Sequence, residues 1–589
     1  MRRAPTSCTA NAALRWKPKP SFQPSPLSNC LTRSRAYALH SAASPPPTQT
    51  QAPAAAPVGE AYRNHRIEQL RSLNLSSYPR FSPPSNLISQ TQFTAKYNAL
   101  FAPGEWDKNN SASVTLVGRI SARRDASKKL IFVDLNREGV KTQLVLRRDE
   151  FEGGAEQFAT IVKGLKVGDV VRATGYAGRT PAGELSVAAR DIEVLAPCLW
   201  NIPKELADPD TRFRNRHLDL LVNESPLAIL KRRAAVIAHV RAYLTSRGFL
   251  EVETPILSPK PGGATARPFT TTSNALSESN QTLFLRVAPE LYLKQLVIGG
   301  ADRVFEIGKQ FRNEEIDSTH NPEFTTCEFY IAYADLEEVM SMTEELLRGA
   351  AIAAAGGLQV PYTITDDSGS RREVEIDFAA PFVRIDVVNE LERHMGRKLP
   401  DFDAPTAGDE LIGACKELNV PLPSPATIPR LLDRLISHLI EPTLSLAPTF
   451  LINHPAPLSP LAKSLSVPNL SSSLSPSSSY PPSTRTARFE LFIANRELVN
   501  AYEELNDPHE QRTRFALQAQ QRAIDGDDEA MPADEGFCDA LEWGLPPTTG
   551  WGLGIDRLVM LLSGTRRIRE VLTFPIVNTD ADSGRPRAE

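Results

Sequence analysis

Three stretches of the 589-residue sequence hold side chains whose types and spacing suit chemistry. The first, Glu306–Ala334, reads EIGKQFRNEEIDSTHNPEFTTCEFYIAYA. Its polar middle carries Arg312, Glu314, Glu315, Asp317, His320 and Asn321, more recognition chemistry than a turn needs. A guanidinium at the base of such a loop suits a phosphate, because it is always charged and presents paired donors. Phe324, just beyond, offers a flat face to a base. The second stretch, Arg488–Asp507, is RFELFIANRELVNAYEELND and holds five acids. In a strand, residues i and i+2 share a face, so Asn500, Tyr502 and Glu504 form one same-face set. Glu490 and Glu497 reach one face only if a turn intervenes, which Ala494-Asn495 can supply. Pattern alone also describes a solvated acidic strand. The third stretch, Thr548–Pro575, is a glycine-rich strand running into a helix with Arg557 at its start. No GK[ST] follows those glycines, which excludes a P-loop.

The elements that must position these groups follow from periodicity. Two apolar, alternating runs, Arg303–Phe311 and Phe324–Tyr333, flank the first loop as a hairpin. Pro226–Arg247 has no internal breaker; Leu230, Ala234, Ile237 and Leu244 fall at helical spacing and Gly248 suits a cap. Glu337–Ala355 reads as a helix and Tyr362–Asp377 as a hairpin around DDSG. Val114–Leu195 contains five short alternating strands split by glycines and charged turns, which suggests a small OB-type barrel. Its basic residues modestly outnumber its acids. A barrel that reads single-stranded bases needs an exposed aromatic and polar edge-readers, roles that Phe132, Gln143 and Glu184 suit. By spacing alone Phe132 suits the core better than a platform. Arg63–Tyr78 reads as a short amphipathic helix ahead of the barrel.

Composition sets the bounds. Several domains are expected at this length. Hydrophobic content of 41% and charged content of 23% are those of ordinary globular chains. No apolar run reaches the ~18 residues that suggest a membrane span. A formal net charge of −4 does not advertise nucleic-acid binding, so any RNA contact must come from local basic surface. Six scattered cysteines form no CxxC pair, which argues against a disulfide framework or zinc site. Residues 1–59 lack Asp and Glu but carry Arg2, Arg3, Arg15, Lys17, Lys19, Arg33 and Arg35, the composition of an organellar transit peptide. Pro45–Pro57 is a low-complexity spacer, and Ser464–Arg485, rich in Ser, Pro and Leu without acids, has the composition of a disordered insertion.

The wording FRNE followed by HNPEFT resembles motif 2 of the class II aminoacyl-tRNA synthetases, and it is most similar to the lysyl-tRNA synthetases. PGGATARPF and RVAPELYLKQLVIGG resemble that family almost word for word, and GWGLGIDR resembles motif 3. Pro226–Pro255 resembles motif 1, a helix plus strand that builds the family's dimer interface; that local pattern is weak by itself. Arg35-Ala36-Tyr37 followed by Ala38 resembles a mitochondrial processing site. The resemblance implies an α+β chain: transit peptide 1–37, linker 38–60, helical lead-in 61–111, OB-fold anticodon-binding domain 112–200, hinge 201–225, an antiparallel six- or seven-stranded catalytic domain 226–577 with the insertion 464–485, and a tail 578–589.

The same resemblance implies a homodimer of the mitochondrial matrix that ligates L-lysine to tRNA(Lys) through lysyl-adenylate. Arg312 would grip the α-phosphate of ATP and Arg557 the γ-phosphate. Phe324 would stack on adenine, Glu314 and Asn321 would fix adenine and phosphate, and His320 would lie near the outer phosphates. Glu490 and Glu497 would hold Mg²⁺. Gly263, Glu290 and Asn500 would bind the backbone end of lysine. Glu328, Tyr330, Tyr502 and Glu504 would line its pocket, with Tyr330 and Glu504 at the ε-ammonium. Phe132, Gln143 and Glu184 would read the anticodon. Glu315 stands where the family usually has glycine. Rival readings are an aspartyl- or asparaginyl-tRNA synthetase, a lysine ligase acting on protein, and a non-catalytic RNA-binding relative. An aspartate pocket would need cations where this chain has acids.

Overall fold

The computed structural model describes residues 58–75, 78–107, 113–260, 262–264, 266–274, 282–365, 370–465, 485–525 and 534–577. The expected transit peptide, most of the linker, the insertion from 466 to 484 and the tail from 578 lie outside them.

Alternating apolar residues roll five strands into a closed barrel: Val114–Ser127, Leu130–Arg137, Val140–Arg147, Val170–Arg179 and Leu185–Ala196, with the last strand between the third and fourth. Ile131, Val133 and Leu135 point inward and are buried, so Phe132 between them faces out. Ahead of the barrel, the helix spans Val58–Ser72 rather than Arg63–Tyr78. Arg66 anchors it, donating to Asp169 Oδ2 at 2.8 Å and to the Gly164 carbonyl at 2.7 Å. Asn74, at φ 48°, ends it in the left-handed region. The expected hinge is instead two short helices, Pro209–Arg214 and Arg216–Val222. Buried Arg216 pairs with Asp219 at 2.5 Å and donates to the carbonyls of Glu570 and Leu572. A buried guanidinium needs such full pairing, which fixes this connection to the larger domain that follows.

The larger domain, expected over 226–577, is built on an eight-stranded sheet, against an expectation of six or seven. From one edge its strands are Val383–Asp386, Thr449–Ile452, Arg488–Ile493, Arg496–Glu503, Thr548–Gly554, Glu323–Ala332, Arg303–Phe311 and Leu250–Glu251. The interior is antiparallel, but the outermost pair at each edge is parallel. These edge strands are too short to have declared themselves by alternation. The expected hairpin holds, with Arg303 opposite Ile331 and Phe311 opposite Glu323. Ala494-Asn495 supplies the turn between the two acid-bearing strands, both residues at positive φ.

One sheet face is core. Phe329 and Trp551 are register partners with stacked rings 4.7 Å apart, and Trp551 Nε1 donates to Thr343 of the helix Leu336–Ala355. The helix Glu224–Ser246 packs there through Ile229, Val236, Val240, Tyr243 and Leu244. That stripe is rotated from the expected one: Ala234 is exposed, and Leu230 and Ile237 are half-buried. The sequence between the outer strands folds into helices Val387–Met395, Ala407–Glu417 and Ile428–Leu439 around a small separate core.

Candidate active site

The opposite face of the sheet carries the chemistry because register brings it into rows. Glu306, Glu328, Gly552, Asn500 and Glu490 are successive partners across five strands. Tyr330, Gly550, Tyr502 and Arg488 form the neighbouring row. Glycines on the middle strand leave a trough. A Cβ on Gly550 would lie 2.1 Å from Glu504 Oε1 and 2.6 Å from Tyr330 Cε1, so only glycine fits. A cavity of about 400 Å³ fills this trough. Its lining includes Gly263, Glu290, Arg312, Glu314, His320, Asn321, Phe324, Glu328, Tyr330, Glu497, Asn500, Tyr502 and Arg557. Two expected residues are absent from the lining: Glu504 lies under the floor beside Gly550, and Glu490 lies behind Arg488.

At one end the cavity is acidic. The helix Glu290–Ile298 begins with Glu290, and Gly263, at φ 89°, brings its backbone against the Glu290 and Ala288 side chains. Tyr502 donates to Glu290 Oε1 at 2.6 Å. Lys294, one turn along the helix and 1% exposed, donates to the same oxygen at 2.6 Å and pairs with Glu504. Glu504 Oε1 has no hydrogen-bond partner among the described residues. Burial pushes the Glu504 carboxyl well above its ordinary range, only partly opposed by Lys294. At the cavity floor burial, reinforced by Glu290, pushes Glu328 up to about 8. Burial would lower the Lys294 ammonium, but Glu290 and Glu504 outweigh it and hold it up. Three carboxyls around one ammonium leave room for further positive charge, so this end suits a cationic ligand.

The other end is built for anions. The Arg312 guanidinium lies 5.1 Å from the centre of the Phe324 ring, and its Nε has no hydrogen-bond partner among the described residues. Arg557, on the helix Ile555–Ser563, donates to Glu497 Oε2 at 3.1 Å and meets His320 Nε2 at 3.1 Å. Arg557 is a donor, so His320 Nε2 accepts, and its Nδ1–H donates to Asp317 Oδ2 at 2.8 Å. These contacts close the hairpin loop over the third stretch. His320 holds the Asp317 carboxyl well below its usual range, against the opposing effect of burial. Asn321 is buried, with its Nδ2 on the Glu323 carbonyl and its Oδ1 unpartnered. Glu314 is half-buried and Glu315 exposed.

Glu490 and Glu497 are brought to the same strand pair, as the turn requires, each with a cation already beside it. Glu490 pairs with Arg488 at 2.5 Å and His454 at 3.2 Å; burial opposes its charge, but these two partners bring it down to about 2. Arg488 also donates from Nε to Asn500 Oδ1 at 3.0 Å. The sequence reading missed Lys294, Arg488 and His454. Lys294 stands four residues after Glu290, a helical pairing distance, and Arg488 two before Glu490, a same-face distance. His454 carried no local signal.

On the barrel, Phe132 faces outward with the Arg124 guanidinium 5.9 Å from its ring centre. Gln143 is 9% exposed, its carbonyl accepting from Ser186 Oγ at 3.0 Å. Glu184 is exposed in the turn before the last strand. Phe132 and Glu184 are thus available to a ligand, while Gln143 is pinned at the surface edge of the core.

Residues 208–578 match the family described as tRNA synthetases class II (D, K and N), and residues 114–195 match OB-fold nucleic acid binding domains. The lysine–tRNA ligase cla4 of Cladosporium cladosporioides is 43% identical over 537 residues, 89% of this chain and 85% of the relative. A probable cytoplasmic lysine–tRNA ligase of Encephalitozoon cuniculi is 46% identical over 472 residues, 79% of this chain and 88% of the relative. The mitochondrial lysine–tRNA ligase of Schizosaccharomyces pombe is 40% identical over 519 residues, 86% of this chain and 92% of the relative.

Proposed function

The chain belongs to the class II tRNA synthetases (D, K and N), and on that premise we propose that it ligates L-lysine to tRNA(Lys) with ATP. One observation carries the choice of lysine: Glu290, Glu328 and Glu504 converge with Lys294 as the one cation between Glu290 and Glu504 among the described residues, and Glu504 Oε1 has no hydrogen-bond partner among them. An aspartate or asparagine side chain would meet carboxylates there.

In the first step the lysine carboxylate attacks the α-phosphorus of ATP, forming a P–O bond as the bond to pyrophosphate breaks. The nucleophile is already ionised, so no general base is needed; catalysis is positioning and charge neutralisation. Arg312, whose Nε has no hydrogen-bond partner among the described residues, grips the α-phosphate and Arg557 the γ-phosphate, with His320 beside it. Phe324 stacks on adenine, fixed by Glu314 and Asn321. Glu290 and Asn500 take the backbone end of lysine beside Gly263, and Tyr330, Tyr502, Glu328 and Glu504 enclose its side chain. In the second step the terminal ribose hydroxyl of the tRNA attacks the adenylate carbonyl, and AMP leaves.

Glu490 and Glu497 are the residues to hold Mg²⁺. Supporting this, Glu497 lines the cavity with Arg557 at its side, and burial together with the charges of Glu490, Asp433 and Glu497 pushes the Glu441 carboxyl up to about 7; Glu490 would have to exchange its pairing with Arg488 and His454 for the ion. Two hard oxygen donors without a full protein cage suit a magnesium ion that keeps substrate oxygens and water. Bound there, it would neutralise phosphate charge.

Phe132 is the stacking platform for an anticodon base, with Glu184 and Gln143 beside it. A homodimer is supported by exposed Leu250 (58%) on the short edge strand and by exposed Ile256 (46%) and Leu257 (49%) in the chain that follows it. A mitochondrial address is supported by the acid-free, arginine-bearing residues 1–59. N-terminal sequencing of the mature protein should start near Ala38, and an intact Met1 would contradict import processing. Charging of a tRNA(Lys) transcript with labelled lysine and ATP tests the function. No charging, with ATP and metal saturating, would reject it.

A further inference from the structure

We propose that Lys294 is a positioning residue for amino-acid choice, fixing the Glu290 and Glu504 carboxyl groups and supplying the one positive charge between them among the described residues, so that the pocket matches a ligand with two ammonium groups. The inference rests on the lysine reading above and concerns how the pocket reaches the charge that reading requires. Lys294 Nζ lies 2.6 Å from Glu290 Oε1 and pairs with Glu504 Oε2. The rings of Tyr502 and Phe537, 5.6 and 5.7 Å from Nζ, wall the ammonium in, and the residue is 1% exposed. It therefore spans the residue placed at the backbone end of lysine and the residue placed at its side-chain end without lining the cavity itself.

The charge count gives this arrangement its meaning. The charged and titratable groups facing this cluster are Glu290 from the same helix, Glu328 and Tyr330 from one strand, Tyr502 and Glu504 from another and the paired Glu306 and Arg286 beyond Glu328, with Arg312 and Arg488 acting from the rim. In the ligand-free protein burial keeps a proton on Glu328 up to about pH 8; once lysine binds and every carboxyl is ionised, three negative charges meet one ammonium of the protein. The α- and ε-ammonium groups of lysine supply the two positive charges then lacking. Remove Lys294, and the two ligand charges no longer balance three carboxylates. A carboxyl would then keep its proton at neutral pH even with lysine bound. A neutral carboxyl reads an ammonium poorly, and raising the pH would ionise it again.

The test is lysine-dependent pyrophosphate exchange by the full-length protein from pH 7 to pH 9, comparing wild type, Lys294→Met and Lys294→Arg. Lys294→Met should raise KM for lysine on the order of 10–100-fold at pH 7, since each pKa unit is tenfold in proton affinity. That ratio to wild type should shrink to roughly threefold or less at pH 9 as the carboxyl ionises. KM for ATP should move less than about twofold, because the anion end is untouched. Lys294→Arg keeps the charge, so its ratio to wild type should stay flat across the range, and this variant carries the test where Lys294→Met does not fold. A Lys294→Met ratio that is constant with pH, or a Lys294→Arg ratio that changes with pH, would overturn the proposal and leave Lys294 a packing residue. A wild-type protein inactive on lysine but active on another amino acid would overturn the reading of function instead.

Discussion

At the residue scale the account turns on acids that are hard to keep charged. Glu328 has its carboxyl raised to about 8 against an ordinary 4.5, because the cavity floor is desolvated and Glu290 is near. A raised folded-state pKa means that its contribution to stability is complete below about 4.5 and is lost as pH rises to about 8. Ligand-free wild type should therefore lose Tm relative to Glu328→Gln between pH 5 and pH 8, with the difference level above that; thermal scans check it, and a constant difference would refute it. Glu504 gives the sharper prediction. A methylene discriminates by only ~1–3 kcal/mol, so selection of lysine must come from its ammonium. Glu504→Gln keeps the shape and should lower kcat/KM for lysine on the order of 10²–10³-fold, since each ~1.4 kcal/mol is tenfold. KM for ATP should hold, and near-native efficiency would pass the role of selector to Glu328 and Tyr330. Asn500 and Tyr502 were legible from strand alternation, because register preserves it; Glu504, one residue past the strand, falls under the cavity floor. The bond from Lys294 to Glu504 was not legible, since it joins a helix to a strand end far away in sequence.

At the element scale one buried node ties the three motif stretches together. Asp556, at the start of the arginine-bearing helix, accepts from the Thr325 backbone N–H at 2.6 Å and pairs with Arg233 of the long helix. Arg233 also donates to Thr325 Oγ1 at 2.9 Å. Breaking such a pair from one side leaves an uncompensated buried charge, which costs about 3–5 kcal/mol. Asp556→Ala should lower the unfolding midpoint of the catalytic domain accordingly and impair exchange, whereas a shift below ~1 kcal/mol would show that the node is dispensable. The barrel gives the matching prediction. Phe132→Ala should weaken charging of tRNA(Lys) while sparing lysine adenylation, as stacking is worth ~1–3 kcal/mol per base. Equal loss in both assays would mean a damaged barrel. Elements with long alternation, the barrel strands and the central hairpin, were readable from sequence. The edge strand Leu250–Glu251 is two residues long and was read only as part of a helix-plus-strand unit. The stripe on the long helix was misplaced because several apolar residues there sit between two faces, and only packing chooses among them.

At the scale of the whole molecule, the order of barrel and catalytic domain was legible because composition and strand spacing change between them. The tight joint was not, because the buried Arg216–Asp219 pair looks in sequence like an ordinary charged linker. The serine-rich segment has its ends side by side: Ser464 bridges Thr486, and Leu465 N–H donates to the Arg485 carbonyl at 3.0 Å. A much shorter link can therefore join them, and loop length changes closure entropy by only ~0.6 kcal/mol per doubling. Deleting residues 466–483 should leave adenylation within about threefold of wild type on that scale; a large loss would show that the segment serves the active site. The measurement that tests the central claim most directly is ATP–pyrophosphate exchange by the full-length protein with lysine, aspartate or asparagine as the sole amino acid. Acids at one end of the cavity and arginines at the other predict exchange with lysine alone. Exchange driven by aspartate or asparagine and not by lysine would contradict the account.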